Sequence, residues 1–426
     1  MRTKNILTVL CSLTAAAAIA MSGPQAAAYA ASGQGAPVTP ACGWHGPYLV
    51  TDNVPLGDSA AAYWLMPFTV QDGLRIVLDG RYPDSRYTSL QVYSSGTELF
   101  STNGVSSALA DYRIDPDPSS VNPWQHAAGR AGDAYTVTLQ SDVAPGRANV
   151  LPLAPAGTAA GTAGYLQYRV YLPARGDFSR IPVPKVTFTL DGVSTRVPAC
   201  PPPAPITAAP AAPLGAAAAP AAATSGAAAQ GVEFAGPVLS GAGFPNADSG
   251  YLLAVVTTPP ADGDVLVIRG KAPTAARGSH PSPWPARGVD VQYWSLCDYL
   301  GTALLPLVAN RLPDGAVDYG CRYDSQVTLD HGYYTFVVGT EAQRAAIGQI
   351  PGATFLPFSA AYPTTAHVLV LRNMLVNPGF AEAVQNVPGN GNPASAAAVM
   401  GPYYPRTAIC PLATLASGGP AACLAR

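Results

Sequence analysis

Four short blocks occur twice along this chain in the same order, and this repetition restricts the fold more than any other feature of the sequence. Leu74-Arg75-Ile76-Val77-Leu78-Asp79-Gly80 corresponds to Val265-Leu266-Val267-Ile268-Arg269-Gly270, and Tyr87-Thr88-Ser89-Leu90-Gln91-Val92-Tyr93 to Tyr293-Trp294-Ser295-Leu296-Cys297-Asp298-Tyr299. Tyr135-Thr136-Val137 then matches Tyr334-Thr335-Phe336, and Leu151-Pro152-Leu153-Ala154 matches Leu356-Pro357-Phe358-Ser359. Self-similarity kept in order implies two related modules in tandem. The blocks are rich in β-branched and aromatic residues and are bounded by glycine, proline and aspartate, so they read as strands.

In the first module strands are expected at Ala62–Val70, Leu74–Arg81, Tyr87–Ser94, Ala134–Gln140, Tyr165–Leu172 and Lys185–Leu190. Gly80–Asp84 and Asp191-Gly192 supply turns, the latter a strong hairpin signal. The expected fold class is mainly β, with two tandem related β-sandwich or jelly-roll-like modules. The second adds a proline-rich excursion, Lys271–Gly288, and a few helices, expected at Glu341–Gln349 and Asn377–Gln385. Such loops on a rigid scaffold are where binding residues collect. Between the modules, Pro201–Gly231 has no charge and no aromatic residue, and Pro210, Pro213 and Pro220 each remove a backbone donor. That stretch is a semi-extended linker separating residues 41–200 from residues 232–426.

The amino terminus carries Arg2 and Lys4, an apolar run Ile6–Met21, and Ala28-Tyr29-Ala30. This is the pattern of a secretory signal peptide over residues 1–30, followed by a flexible stretch over 31–40. The apolar run is shorter than the roughly 20 residues a membrane span needs. The mature product is therefore expected outside the cytoplasm, secreted or periplasmic, with no transmembrane segment. Of the 7 cysteines, Cys11 falls in the signal. The remaining even set in an oxidising compartment implies disulfides. Their positions favour Cys42–Cys200 around the first module, Cys297–Cys321 within the second, and Cys410–Cys423 clipping the carboxyl end.

Charged residues make up 11% of the chain and the formal net charge is −2, against about 25% charged in an average domain. No clustered basic surface is available for nucleic acid. Phosphate-binding glycine loops and a G-x-S-x-G nucleophile elbow are absent, and Gly57-Asp58-Ser59 lacks the α/β context an esterase block requires. Oxygen ligands for Ca²⁺ are conceivable at Asp115, Asp117 and Asn122, set against an aspartate-proline turn that caps its own backbone. Trp44, Trp124 and Trp284 lie in loops rich in proline or glycine, where flat rings suit glycan stacking, set against plugging the sandwich ends. Arg81 and Arg86 flank a turn beside Asp79 and Asp84, as a carboxylate-binding fork or a local ion-pair network.

The blocks Gly80-Arg81-Tyr82-Pro83-Asp84-Ser85-Arg86-Tyr87-Thr88-Ser89-Leu90, Ile114-Asp115-Pro116-Asp117-Pro118-Ser119-Ser120-Val121-Asn122-Pro123-Trp124 and Tyr293-Trp294-Ser295-Leu296-Cys297 resemble a family of uncharacterised secreted bacterial proteins. Its members have tandem β-sandwich domains of unknown function. Related domains usually carry an acidic residue after the strand tyrosine, where this chain has Ser94. The resemblance implies a fold and no established activity, so it transfers no catalytic residue. The expected role is non-enzymatic binding in the envelope or outside the cell, with an envelope polysaccharide or surface protein as partner. The alternative is a secreted hydrolase acting on polysaccharide or ester through loops of the second module.

Overall fold

The computed structural model describes residues 39–52, 54–201, 232–237, 243–302 and 305–425. The signal-peptide reading, most of the 31–40 stretch and nearly all of the linker lie outside them.

The first half contains β1 (His45–Tyr48), β2 (Ala61–Thr69), β3 (Arg75–Arg81), β4 (Ser85–Tyr93), β5 (Ser101–Thr102), β6 (Val105–Ser106), β7 (Ala108–Ala110), β8 (Ala134–Gln140), β9 (Val150–Pro152), β10 (Ala163–Pro173), β11 (Lys185–Leu190) and β12 (Val193–Val197). The second contains β13 (Ser249–Val256), β14 (Asp264–Lys271), β15 (Val291–Leu300), β16 (Ala309–Arg311), β17 (Val317–Tyr319), β18 (Cys321–Tyr323), β19 (Leu329–Asp330), β20 (Tyr333–Gly339), β21 (Ala353–Pro357), β22 (His367–Val376) and β23 (Arg406–Pro411).

In the first half the sheet β1-β2-β10-β4-β7 faces the sheet β12-β11-β3-β8-β9. The second half opposes β13-β22-β15-β18 to β19-β20-β14-β23, with β21 added beside β20. Each pair encloses one apolar core, around Trp64, Ile76, Leu90, Val137 and Leu166 in the first and Leu252, Ile268, Trp294, Phe336 and Leu369 in the second. All four repeated blocks fall on equivalent strands. β3 and β14 are central in their sheets, each beside the strand bearing Tyr135 or Tyr334. The Leu-Pro blocks form β9 and β21, which pair in parallel with β8 and β20 in sheets whose other pairings are antiparallel.

The repeated glycine has a packing reason. Gly80 pairs across the sheet with Tyr135, and Gly270 with Tyr334. A Cβ at Gly80 would lie 2.1 Å from the Tyr135 ring, and one at Gly270 would lie 2.5 Å from the Tyr334 oxygen. Each tyrosine thus lies over a bare backbone, a pairing that shields a strand glycine with an aromatic face. Asp191 (φ 51°) and Gly192 (φ 77°) make the expected tight hairpin between β11 and β12, with both residues left-handed as a type I′ turn requires.

Exposure separates inner from outer strands. β3 alternates exposed and buried residues, whereas every residue of β4 and β15 is buried. Alternation is the mark of a strand with one solvated face, and its loss means that both faces are covered. The second cover is the other sandwich.

Three disulfides form, Cys42–Cys200, Cys297–Cys321 and Cys410–Cys423. The last joins β23 to the terminal helix Leu412–Leu424. Helical turns cover Glu341–Gln343 and Arg344–Ile347, within the span expected from sequence. Asn377–Gln385 corrects that expectation: it is mostly turns, with a single 3-10 turn at Val384–Asn386. A helix instead spans Pro393–Met400, opened by Asn392 accepting from the Ala394 amide and by proline in its first turn, two standard start signals.

Substituting Gly80→Ala or Gly270→Ala drives a methyl into a buried tyrosine. Each is expected to lower stability by about 1–3 kcal/mol, read from urea unfolding midpoints. Truncating the facing tyrosine in the same chain should recover part of the loss, giving a non-additive pair.

Candidate functional site

The repeated motif Tyr-x-Ser-Leu-x-x-Tyr faces the junction between the sandwiches, where it receives an arm from the opposite half. One arm is Leu56-Gly57-Asp58, which precedes β2, and the other is Phe244-Pro245-Asn246, which precedes β13. Tyr299 donates its hydroxyl to the Gly57 carbonyl at 3.0 Å, and Tyr93 donates to the Pro245 carbonyl at 2.8 Å. The Tyr293 hydroxyl donates to Asp58 at 2.8 Å, and the Tyr87 hydroxyl to Asn246 Oδ1 at 3.2 Å. Arg372 Nη2 reaches the Leu56 carbonyl at 3.1 Å, and Arg169 Nη2 the Phe244 carbonyl at 3.1 Å. Each guanidinium also lies over a tyrosine of its own half, Arg372 on Tyr251 and Arg169 on Tyr63. Leu56 and Phe244 both adopt left-handed backbone, at φ 50° and 56°. The junction therefore has quasi-two-fold character, each half docking the same arm onto the same strand pair of the other.

The two docks differ in the residue that the arm inserts. Asp58 is wholly buried and accepts from Tyr293, Ser295, Arg372 and the Ala60 amide. Its counterpart Asn246 is neutral and accepts from Tyr87 and Gln91, with Asp248 taking a second bond from Tyr87 at 2.7 Å. Burial opposes the charge on Arg372, yet Tyr171, Tyr299 and Asp58 together hold its pKa above the ordinary guanidinium value. Cys297 and Cys321 flank Asp58 as a disulfide, where the first half has Gln91 opposite Ala108. Around the polar centre pack Tyr87, Tyr171, Trp284, Tyr293 and Met374.

The proline-rich excursion closes one side of the junction. Arg86 is 2% exposed and pairs with Asp324 of the second half at 2.6 Å, while its Nε donates to the Gly278 carbonyl at 2.6 Å. Trp124 donates its indole N–H to the Arg86 carbonyl, and its own carbonyl accepts from the Trp284 amide. Of the residues expected from sequence to bind ligand, Arg86 and Trp284 are buried at the junction, and the Trp124 ring is buried in the first core against Tyr82 with its carbonyl bonded to Trp284. Their surfaces are covered by protein. Trp44, 2% exposed, donates to the Pro184 carbonyl inside the first core. Arg81 is exposed on β3 and donates to the Gly132 carbonyl; the expected local ion-pair network does not form, since Arg86 pairs with Asp324 and Asp84 with His280.

Asp115, Asp117 and Asn122 direct their oxygens to three separate partners, Gln125, the Thr136 hydroxyl and the Trp124 amide. Asn122 also donates to the Asp111 and Ile114 carbonyls from a fully buried position, which is backbone capping of a proline-rich turn. Among the described residues two clusters have the composition of metal sites, Cys42 with His45 and Cys200, and Asp58 with Cys297 and Cys321. Both cysteine pairs are disulfides, so neither offers a thiolate. In the second core, His367 Nδ1 lies 2.8 Å from Asp298 Oδ2 with both side chains fully buried.

Among the described residues, small clefts reach solvent at opposite ends of β4 and β10. With nine residues in β4, they stand roughly 27 Å apart at about 3.3 Å per residue. One, of about 270 Å³, is lined by Tyr93, Ser94, Ser95, Thr158, Thr162 and Gly164 among others. The other, of about 190 Å³, lies where the excursion meets the first sandwich, lined by Asp84, Ala174, Arg175, Asp177, Arg180, Ile181 and His280. His280 Nδ1 is 2.7 Å from Asp84 Oδ1. Hydrogen bonds from Ser179, together with Arg180, hold the Asp177 carboxyl below its usual range. Neither lining offers a cysteine, and the second offers no hydroxyl nucleophile.

No protein-family model matches this chain, and no curated protein matches it. Among solved structures, it is similar to an uncharacterized protein from Burkholderia cenocepacia, with a TM-score of 0.50 and 13% identity over 93% of this chain and 92% of that one. A Vibrio parahaemolyticus protein is similar with a TM-score of 0.41 and 12% identity, over 85% and 92% of the two chains. At 13% identity the first likeness is one of fold alone.

Removing one partner of the buried pair strands the other's charge. Asp58→Ala or Arg372→Met should each cost about 3–5 kcal/mol, whereas Asn246→Ala, a neutral loss, should cost about 1–3 kcal/mol; denaturant unfolding distinguishes the two. Burial raises the folded carboxyl pKa values of Asp111, Asp248, Asp298 and Asp324 above the reference 3.8. Such groups bind protons more tightly when folded, so their stabilisation is complete below that reference and is lost as pH rises through the folded values. The melting temperature is expected to fall as pH rises from about 3.8 through the folded values of these groups, and Asp298→Asn should flatten part of that slope.

Proposed function

We propose that this is an exported, non-enzymatic binding protein of the cell envelope or extracellular space, in which two fused β-sandwiches present a single rigid binding body. One observation carries the reading. The side chains best suited to chemistry, Asp58, Ser295, Tyr293 and Arg372, are buried and engaged with one another across the junction, while the solvent-reaching clefts carry recognition groups. Groups committed to mutual hydrogen bonds inside a dry interface are unavailable to a substrate. Three disulfides support a site of action outside the reducing cytosol. Among the described residues no helix is long and apolar enough to cross a membrane.

A hydrolase reading draws on one feature, the exposed His280 oriented by Asp84. A carboxylate holding an imidazole is the arrangement that readies a general base. Its cleft supplies no protein nucleophile, so the reaction would have to use water directly.

Thermal melting of the chain from Ala31 onward, against envelope polysaccharides, short glycans, organic acids and Ca²⁺ with a chelator control, tests the proposal. A ligand that binds the folded state at a hundredfold above its Kd adds about 2.7 kcal/mol, a measurable shift. Turnover of ester or glycan substrates that disappears in His280→Ala would reverse the proposal in favour of the hydrolase.

A further inference from the structure

We infer that the cleft between Arg175 and His280 binds a small organic carboxylate, an inference that rests on the binding role proposed above and names its ligand class. The cleft wall carries two acids, Asp84 and Asp177, and two guanidiniums, Arg175 and Arg180, and only one of the guanidiniums is paired. Asp84 is engaged by His280 at 2.7 Å, and Asp177 by Ser179 and by Arg180 at 3.1 Å. Each acid thus has its own partner. Arg175 is exposed, and among the described residues no acid lies within ion-pair distance of it. One guanidinium therefore lines the cleft without an ion-pair partner, and a planar fork of donors suits a carboxylate.

The backbone at Arg175 carries a second sign. Its φ is 62° and that of the next residue, Gly176, is 68°. Left-handed backbone is inexpensive for glycine and costly for arginine. A guanidinium is kept where glycine would fold more easily, so the side chain has a use that outweighs the strain.

Size and lining narrow the class further. About 190 Å³ admits a carboxylate with a few attached carbons and excludes a folded polymer segment. Ala174 and Ile181 offer apolar surface beside the cations, which fits a carbon skeleton and disfavours a fully hydrated phosphate. His280 comes from the excursion of the second half and the other lining residues from the first. The cleft is complete only when the sandwiches are docked.

Isothermal titration of the full mature chain at low salt, with butyrate, glucuronate, inorganic phosphate and glucose, tests the inference. Butyrate and glucuronate should bind at one site and compete, with phosphate and glucose much weaker. Tighter binding of glucuronate would identify the acid as a sugar acid, as in an acidic polysaccharide, and tighter butyrate a free carboxylic acid. Arg175→Gly removes the guanidinium and suits the backbone, so it should weaken carboxylate binding about tenfold or more with the melting temperature unchanged or raised. His280→Ala should weaken it as well. Phosphate or glucose binding as tightly as the carboxylates, an unchanged affinity in Arg175→Gly, or no carboxylate binding would each overturn the inference. A panel ligand that still shifts the melting temperature of Arg175→Gly would leave the binding role standing and remove only this cleft.

Discussion

The rest of the molecule depends on a carboxylate, Asp58, buried from the first sandwich into the second and held there by Arg372, Tyr293 and Ser295. A charge pair removed from water gains little by itself, because desolvation offsets most of the attraction. What it imposes is register. The pair is satisfied only when both hydroxyls, the Leu56 carbonyl and the Tyr251 ring occupy their places. A displaced docking would leave a bare charge in an apolar interface, so near-miss arrangements are strongly disfavoured. The Arg86–Asp324 pair adds a second such condition at the excursion.

This dock explains the repetition in the sequence. Tyrosines 87 and 93 match tyrosines 293 and 299 because each pair grips the arm of the opposite half. The halves use one surface against each other, as in an isologous dimer, with the symmetry broken where one arm carries Asp58 and the other Asn246. One dock thus centres on a carboxylate and the other on an amide, with the Asp248 carboxylate beside it. The Asp58 side also carries the Cys297–Cys321 disulfide, which braces β15 against β18 directly behind the carboxylate. Covering the faces of β4 and β15 in this way leaves clefts at the sandwich ends and beside the excursion.

Much of the fold was legible because its signals are local or periodic. The strands β2, β3, β4, β8, β10 and β11 lie within a few residues of their expected spans, since alternation and turn residues are written in neighbouring positions. The cysteine pairing followed from position. The helix Pro393–Met400 was missed although Asn392 and Pro393 are recognised start signals, because its alanine-rich run lacks a distinct apolar face. The site was read less well. Trp124, Trp284 and Arg86 stand out as aromatics and a cation beside turn residues, but the Trp124 ring is buried in the first core, and Trp284 and Arg86 are buried at the junction. Arg169 and Arg372 were overlooked, though the spacing Leu166, Arg169, Leu172 recurs as Leu369, Arg372, Leu375. An arginine repeated inside an apolar strand was the available sign of a buried charge.

The sequence by itself determined the β class, the repeated strand order and the disulfides. These follow from periods of two residues, from turn chemistry and from cysteine count, all of which act along the chain or within one module. Only the tertiary structure decided that the modules share a buried polar junction, that Asp58 belongs to the second sandwich's network, and that Arg175 and His280 border one cleft. Those pairs are separated by a hundred residues or more, and no local rule links them. Their meeting is set by how two covered faces exclude water, which is a property of the docked surfaces and not of any segment.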